Sequence, residues 1–381
     1  MTEKYPIFNV SLEDRRIEED EIEPGGYLTK FWVNHKSLGR SLVKLEELTA
    51  PAWSEKIVFE IAKMLSLPAA RYELGVMGDR QQNIVISPDY KDSQLNYITG
   101  DRLIKSSVAR YQYNVSNSIK ALEDNKVGLP AGYTAPQGIR NGTDLFVGYL
   151  MLDALVTNDD RHGGNWEVGI DSLGTKTLAP LFDNGASFGC DYGSSVYDRL
   201  SASEYSQTII SMLGVTPTEA WEQARLINPQ AAAIWLDQLN KIEQDEFTNV
   251  FERIPETRID FKAKQFASAL LDYNRQQLAY LHQQQKRVEN ISPIIFNYLR
   301  LKQNREVESD TSIIQFDPQS KILSYQDRKN SQEYLRARLS EGKWFNLKSN
   351  ISEEKERYLV NEIAPQITKQ LKERQNQKRQ R

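Results

Sequence analysis

The residues of this chain whose types and spacing invite chemistry lie together in Asn158-Asp159-Asp160-Arg161-His162-Gly163-Gly164-Asn165. A further carboxylate, Asp183, follows downstream in Asp183-Asn184-Gly185. Carboxylates and a neutral amide in this order suit phosphoryl transfer. One carboxylate orients the attacking hydroxyl and takes its proton. A second carboxylate and an amide oxygen hold Mg²⁺ on a nucleotide's phosphates. The glycine after Asp183 would let the chain turn away from a metal ligand. Asp and Asn in a Gly-containing loop also describe an ordinary solvated loop, so the flanking elements carry much of the weight.

Those elements position the candidates well. Asp144–Val156 (DLFVGYLMLDALV) is apolar nearly all round, which predicts a helix buried on most faces. A polar loop over Thr157–Asn165 follows, then a strand over Trp166–Ile170, a turn at Asp171–Gly174 and a strand over Lys176–Phe182 that ends at Asp183. The first hundred residues read mainly as strands with one helix. Strands are expected over Tyr27–Val33 and Ser41–Leu45 around a turn at Asn34–Gly39, and a buried strand over Asn83–Ser87. The helix is expected over Glu55–Leu65, where Ile57, Val58, Ile61, Ala62 and Leu65 recur at helical spacing and Pro68 follows. Residues 216–300 predict a series of amphipathic helices. Beyond them, short strands are expected at Ser312–Phe316 and Ile322–Tyr325, then helices at 331–340 and 352–375.

Asp160-Arg161-His162-x-x-Asn165, followed by Leu178-Ala179-Pro180-Leu181-Phe182-Asp183-Asn184-Gly185, resembles the HipA-like kinases. That family shares its catalytic core with the phosphatidylinositol 3- and 4-kinases. The resemblance covers about residues 24–300. It implies an α+β, bilobed protein-kinase-like fold, with a small β-rich N-lobe carrying one helix (24–95) and a larger, mostly helical C-lobe (96–300). An acidic segment (1–23) and a C-terminal extension with a basic tail (301–381) flank this core. ATP and Mg²⁺ are the implied cofactors, with Asp160 the catalytic base and Asn165 and Asp183 the Mg²⁺ ligands. His162 either supports the loop or touches phosphate. Arg161 either orients the catalytic carboxylate or is a surface cation.

The family's N-lobe lysine corresponds to Lys44, near the end of Ser41–Leu45, acting as a point charge on the α/β-phosphates. Its helix glutamate corresponds to Glu55, with Glu60 a rival. Neither G-x-G-x-x-G nor a Walker lysine motif is present. Glu23-Pro24-Gly25-Gly26 stands where the phosphate-covering loop belongs, with the backbone N–H groups of Gly25 and Gly26 as candidate phosphate contacts and Lys30 as another. A mere turn before a strand reads nearly as well there. Ile84, Val85, Ile86 and Ser87 are the expected hinge, gripping adenine through backbone groups. The Ser- and Tyr-rich stretch Ala186–Ser206 stands in the place of an activation or substrate-docking segment, where autophosphorylation would fall; a solvated loop is the plainer reading.

Composition narrows the classes. The 381 residues carry 48 Lys and Arg against 52 Asp and Glu. That balance speaks against general nucleic-acid binding, leaving at most weak contact through the basic tail (Lys369, Lys372, Arg374, Lys378, Arg379, Arg381). Cys190 is the sole cysteine and there are three histidines (His35, His162, His282), so an internal disulfide is excluded and a structural zinc site nearly so. No apolar run approaches the roughly 20 residues of a membrane helix, and the acidic start lacks an apolar leader core, so a cytoplasmic protein is expected. The leading reading is a serine/threonine kinase acting on a protein substrate, with a protein partner or antitoxin meeting residues 301–381, as in toxin-antitoxin systems. The alternatives are a lipid or small-molecule kinase, and a nucleotide-binding pseudokinase acting as a partner-binding module. Retention of Lys44, Asp160, Asn165 and Asp183 together speaks against dead chemistry.

Overall fold

Strand alternation builds the first layer. In a computed structural model, which describes residues 2–11, 30–46, 52–78, 81–108, 111–192 and 194–379, one sheet comprises β1 (Ile7–Val10), β2 (Lys30–His35), β3 (Gly39–Leu45), β4 (Glu73–Met77) and β5 (Gln82–Pro88). Its order is β1-β4-β5-β3-β2, parallel only between β1 and β4. Val10, Phe31, Val33, Val43, Ile84 and Ile86 form an apolar cluster on it. Lys30 and Lys44 stand directly opposite each other in the β2–β3 register, one residue out of phase with Phe31 and Val43 and therefore on the other face. The helix α1 (Ala52–Met64) buries Ala52, Trp53, Ile57, Val58, Ile61 and Ala62, and it begins three residues before the expected start.

The region that follows is mainly helical: β6 (Asn96–Thr99), α2 (Gly100–Ser107), α3 (Val115–Asp124), α4 (Gly142–Val156), β7 (Glu167–Ile170), β8 (Lys176–Leu178), α5 (Ser194–Tyr197), α6 (Ala202–Thr208), α7 (Pro217–Ile227), α8 (Pro229–Leu239), α9 (Gln244–Glu252) and α10 (Phe261–Lys302). All 15 residues of α4 are buried, as its all-round apolar sequence requires, and α3, α7 and α8 pack against it. The strands β6, β7 and β8 form a three-stranded sheet in that order. The strand expected to run to Phe182 stops at Leu178. Beyond Pro180, which has no N–H to donate, the chain makes a single bridge from Leu181 to Ala69.

The chain divides into two compact units, Met1–Leu278 and Ala279–Arg381. The division falls inside α10, where no linker composition marks it. In the second unit, β9 (Glu306–Glu308), β10 (Ser312–Asp317), β11 (Ile322–Asp327), β12 (Glu333–Ser340) and β13 (Lys343–Ser349) form an antiparallel meander. Val288, Ile291, Ile295 and Leu299 of α10 pack on Leu323, Leu335, Ala337 and Trp344. Two short helices, α11 (Glu353–Tyr358) and α12 (Ala364–Arg379), follow.

The helix expected at 331–340 is therefore a strand. Its residues favour helix by type, but Leu335 and Ala337 are buried while Arg336 between them is exposed, a period of two. Glu341 and Gly342 have φ of 49° and 78° and make the two-residue turn into β13.

Candidate active site

The catalytic-type loop is set by the end of α4. Thr157 caps that helix in the left-handed region, φ 52°. The buried Asn274 of α10 holds it there, its Nδ2 donating to the Leu155 carbonyl (3.0 Å) and to Thr157 Oγ1 (2.8 Å). The loop then folds on itself. His162 N–H donates to Asp160 O (2.7 Å), Asn165 N–H to His162 O (2.9 Å) and Gly164 N–H to His162 Nδ1 (2.9 Å). A Cβ on Gly163 would fall 2.1 Å from Asp101 Oδ1, so the approach of the loop to α2 requires glycine. Asn165 Nδ2 donates to the Asp160 carbonyl (2.8 Å) and to Asp160 Oδ2 (3.1 Å). That orientation turns Asn165 Oδ1 away as a remaining acceptor.

Asp160 and His162 keep partly exposed side chains, 45% and 39%, with His162 Nε2 3.9 Å from Asp160 Oδ2. Partial burial raises the Asp160 carboxyl above the ordinary carboxylate range. His162 and Asn165 pull against this, and the negative charge of Asp183 adds to it.

Arg161 lies between these groups and is 1% exposed. It donates to both oxygens of Asp153 in α4 (3.0 and 2.9 Å). It also donates to the Asn165 carbonyl (2.7 Å), the Phe182 carbonyl (3.3 Å) and Asn184 Oδ1 (2.5 Å). Arg161 is neither a surface cation nor able to touch a substrate. It ties the loop bearing Asp160 and Asn165 to the residues on both sides of Asp183, which makes it a positioning residue. Asn158 Nδ2 supports the same carboxylate, 2.8 Å from Asp153 Oδ1.

The sheet contributes the cations. Lys44 Nζ donates to Glu55 Oε1 (2.7 Å) and to Asp183 Oδ1 (2.6 Å), and Lys30 Nζ lies 3.5 Å from Asp183 Oδ2. Burial alone would lower the Lys44 ammonium; the carboxylates of Asp183 and Glu55 outweigh it and hold the group well above its usual value. Burial likewise opposes ionisation of Asp183, and Lys44 and Lys30 overcome it, so that carboxyl lies well below the usual range. The first turn of α1 also grips the Asp183-Asn184-Gly185 backbone. Glu55 Oε2 accepts the Asn184 N–H (3.0 Å), and Ser54 Oγ donates to the Gly185 carbonyl (2.9 Å). Glu55 is thus the partner of Lys44, whereas Glu60 pairs with Lys56. The turn expected at Gly185 is made by Asp183 itself, φ 54°, a conformation that Asp tolerates better than most residues.

Not every expected contact converges here. Gly25 and Gly26 lie outside the described residues. Ile84, Val85 and Ile86 are paired on one side with β3 and on the other with β4, so their backbone groups are committed to the sheet and cannot grip a base. Only from Ser87 onward is one side of β5 released, and just beyond it Tyr90 stacks on Phe182 with ring centroids 5.6 Å apart. In Ala186–Ser206, Ser187 and Ser206 are buried, while Ser195 and Ser201 are exposed. Asp153, Asn158, Asn184 and Tyr72, whose hydroxyl accepts the Asp183 N–H at 3.0 Å, were not expected. Asp153 carried a signal: a carboxylate late in an otherwise apolar helix requires a buried partner.

No protein-family model and no curated protein matches the sequence. Among solved structures, the proinflammatory kinase CtkA of Helicobacter pylori superposes with a TM-score of 0.57 at 17% identity, over 73% of this chain and 98% of that one. The fold is that of a kinase. The Shewanella oneidensis toxin-antitoxin complex of HipA, HipB and operator DNA matches more loosely, with a TM-score of 0.32 at 13% identity over 70% of this chain and 67% of that one. The small sheet with its helix and the helical region behind it agree with the kinase-like architecture implied by the D-R-H-x-x-N segment. Among the described residues no three His, Cys, Asp or Glu side chains converge as a metal cage. Mg²⁺ carried on a nucleotide asks for only one or two protein ligands, and Asp183 with Asn165 Oδ1 fits that demand. No helix of the described residues is long and apolar enough to cross a membrane.

Proposed function

We propose that this chain is an ATP- and Mg²⁺-dependent phosphotransferase of the HipA-like kind that phosphorylates Ser or Thr hydroxyls on protein. The observation that carries the reading is the Lys44 ammonium held between Glu55 and Asp183 at 2.7 and 2.6 Å. It joins sheet, helix and D-N-G segment at one charge, as binding of nucleotide phosphates requires. Asp160 accepts the proton of the acceptor hydroxyl while that oxygen bonds the γ-phosphorus. The bond from the γ-phosphorus to the bridging oxygen breaks, and ADP leaves with the electron pair. Asn165 and Asp183 would hold Mg²⁺, which when bound neutralises charge on the phosphates. Lys44 and Lys30 supply positive charge on the sheet side. Arg161, buried, keeps the two halves in register, so catalysis is mainly positioning and charge neutralisation.

A pseudokinase would have no reason to keep Asp160 partly exposed with its hydrogen-bonding Asn165 beside it. The second unit is the proposed site of partner contact. It carries 20 Lys and Arg against 13 Asp and Glu, whereas the first carries 28 against 39. Incubation with γ-labelled ATP, Mg²⁺ and cell lysate tests the reading. Label is expected on protein Ser or Thr with wild type and absent with Asp160→Ala. Equal labelling by both overturns it.

A further inference from the structure

The peptide unit between Asp159 and the candidate base is held at both of its polar groups. The Asp159 carbonyl accepts the Met212 N–H (2.8 Å), and the Asp160 N–H donates to Asn158 Oδ1 (3.2 Å). Asp159 N–H donates in turn to the Ala186 carbonyl (3.3 Å). Ala186 begins the stretch that leaves the D-N-G segment, and Met212 lies beyond α6 at its far end. One residue beside the base therefore gathers both ends of that stretch.

The Asp159 side chain adds a third tie, to the middle of the stretch. Tyr192 Oη donates to Asp159 Oδ2 (3.1 Å). The Tyr192 ring lies edge-on to Tyr205 with centroids 6.3 Å apart, and Tyr205 meets Phe266 of α10 at 5.7 Å. Ring packing thus aims the hydroxyl and does not depend on it. Tyr192 is 48% exposed and Asp159 half-buried, so water competes for both groups and the bond adds little to global stability. The backbone ties survive any substitution at 159, whereas the Tyr192 tie needs the carboxylate. Lys44, Lys30 and Asp183 are bonded to one another, so the charges expected to meet nucleotide do not depend on this tie for their arrangement.

We infer that Asp159 is a positioning residue for phosphotransfer: through Tyr192 it locks the stretch after Asp183 onto the peptide that aims the Asp160 carboxylate. This rests on the phosphotransfer reading of Asp160 and adds to it a residue that acts through the base rather than on the reacting atoms. Its signature is a loss of turnover with nucleotide affinity kept.

The test uses the full chain with cell lysate at fixed concentration and a series of γ-labelled Mg·ATP concentrations, which yields an apparent kcat and a KM for Mg·ATP. Tyr192→Phe keeps the ring and removes only the hydroxyl. It is expected to lower kcat by ~10-fold, as a shift of the base by a fraction of an ångström does, with the KM for Mg·ATP and the urea midpoint unchanged. Asp159→Ala is expected to show the same split, and Asp159→Asn, which keeps an acceptor oxygen for Tyr192, to restore most of the lost turnover. Tyr192→Phe combined with Asp159→Ala should fall within ~2-fold of Asp159→Ala alone, because both remove one bond. An unchanged kcat in Tyr192→Phe, losses that multiply in the double variant, or a kcat loss matched by a rise in the KM for Mg·ATP overturns the positioning role; if Asp160→Ala is inactive in the same assay, the phosphotransfer reading stands without it. Wild-type labelling that Asp160→Ala equals overturns both.

Discussion

Replacing Arg161 by Met separates the stability of the site from its alignment. Arg161 makes five hydrogen bonds, two of them to the carboxylate of Asp153, whose side chain is 4% exposed. Removing one partner of such a pair leaves a charge in a poorly solvated place, which costs about 3–5 kcal/mol. Adding Asp153→Asn removes that charge while keeping an acceptor for Asn158. The double variant should regain at least ~1.5 kcal/mol, the strength of a hydrogen bond to a charged group. Activity should not return with it, because the ties to Asn165, Phe182 and Asn184 are still missing and a misplacement of about 1 Å costs on the order of 100-fold in rate. Urea unfolding followed by tryptophan fluorescence, with phosphotransfer rates on the same samples, reads both quantities. A loss below about 1 kcal/mol for Arg161→Met, or a double variant that recovers activity together with stability, would refute the positioning role.

Three further outcomes follow from the site's charges. Lys44→Met strips the Asp183 and Glu55 carboxylates of their shared cation and should cut kcat/KM for ATP by ~100-fold or more; a change within a few fold would contradict its role. The Asp160 carboxyl is raised, so the acid limb of the rate profile should lie above the ordinary Asp value of about 3.9. His162→Gln removes a charge that lowers it and should move the limb to higher pH, and an unmoved or lower limb would count against Asp160 as the base. Asp183 is depressed, so its ion pairs stabilise the fold in full above the unfolded value of about 3.9 and lose that contribution as pH falls below it. The destabilisation by Asp183→Asn should therefore be level between pH 7 and 5 on the about-3.9 reference and shrink on further acidification, as read by urea unfolding; a gap that widens in acid would reverse the sign assigned.

The parts of this molecule legible in the sequence are those whose signal is local. An all-round apolar helix, a polar loop and a strand pair predict α4, the loop of Asp160 and Asn165, and β7–β8. Lys44 was legible only through the resemblance to the HipA-like kinases, which calls for a lysine on an N-lobe strand and finds one in Ser41–Leu45. Arg161 was not assignable, because its role depends on Asp153 in α4 and on Phe182 and Asn184 far along the chain. The apolar run Ile84–Ile86 signalled burial correctly but could not say that strands flank it on both sides. At β12, Glu, Leu, Arg and Ala favour helix by propensity, and the packing of Leu335 and Ala337 on α10 overrides it. Gly75 in β4 and the brevity of β1 and β6 masked three strands outright.

The central claim is that Asp160 performs chemistry at a site that binds nucleotide without it. ATP binding and turnover, measured side by side for wild type and Asp160→Asn, test this most directly. The account predicts Mg·ATP affinity within a few fold of wild type and transfer to the acceptor reduced by ~100-fold or more. Transfer by Asp160→Asn at close to the wild-type rate would contradict it.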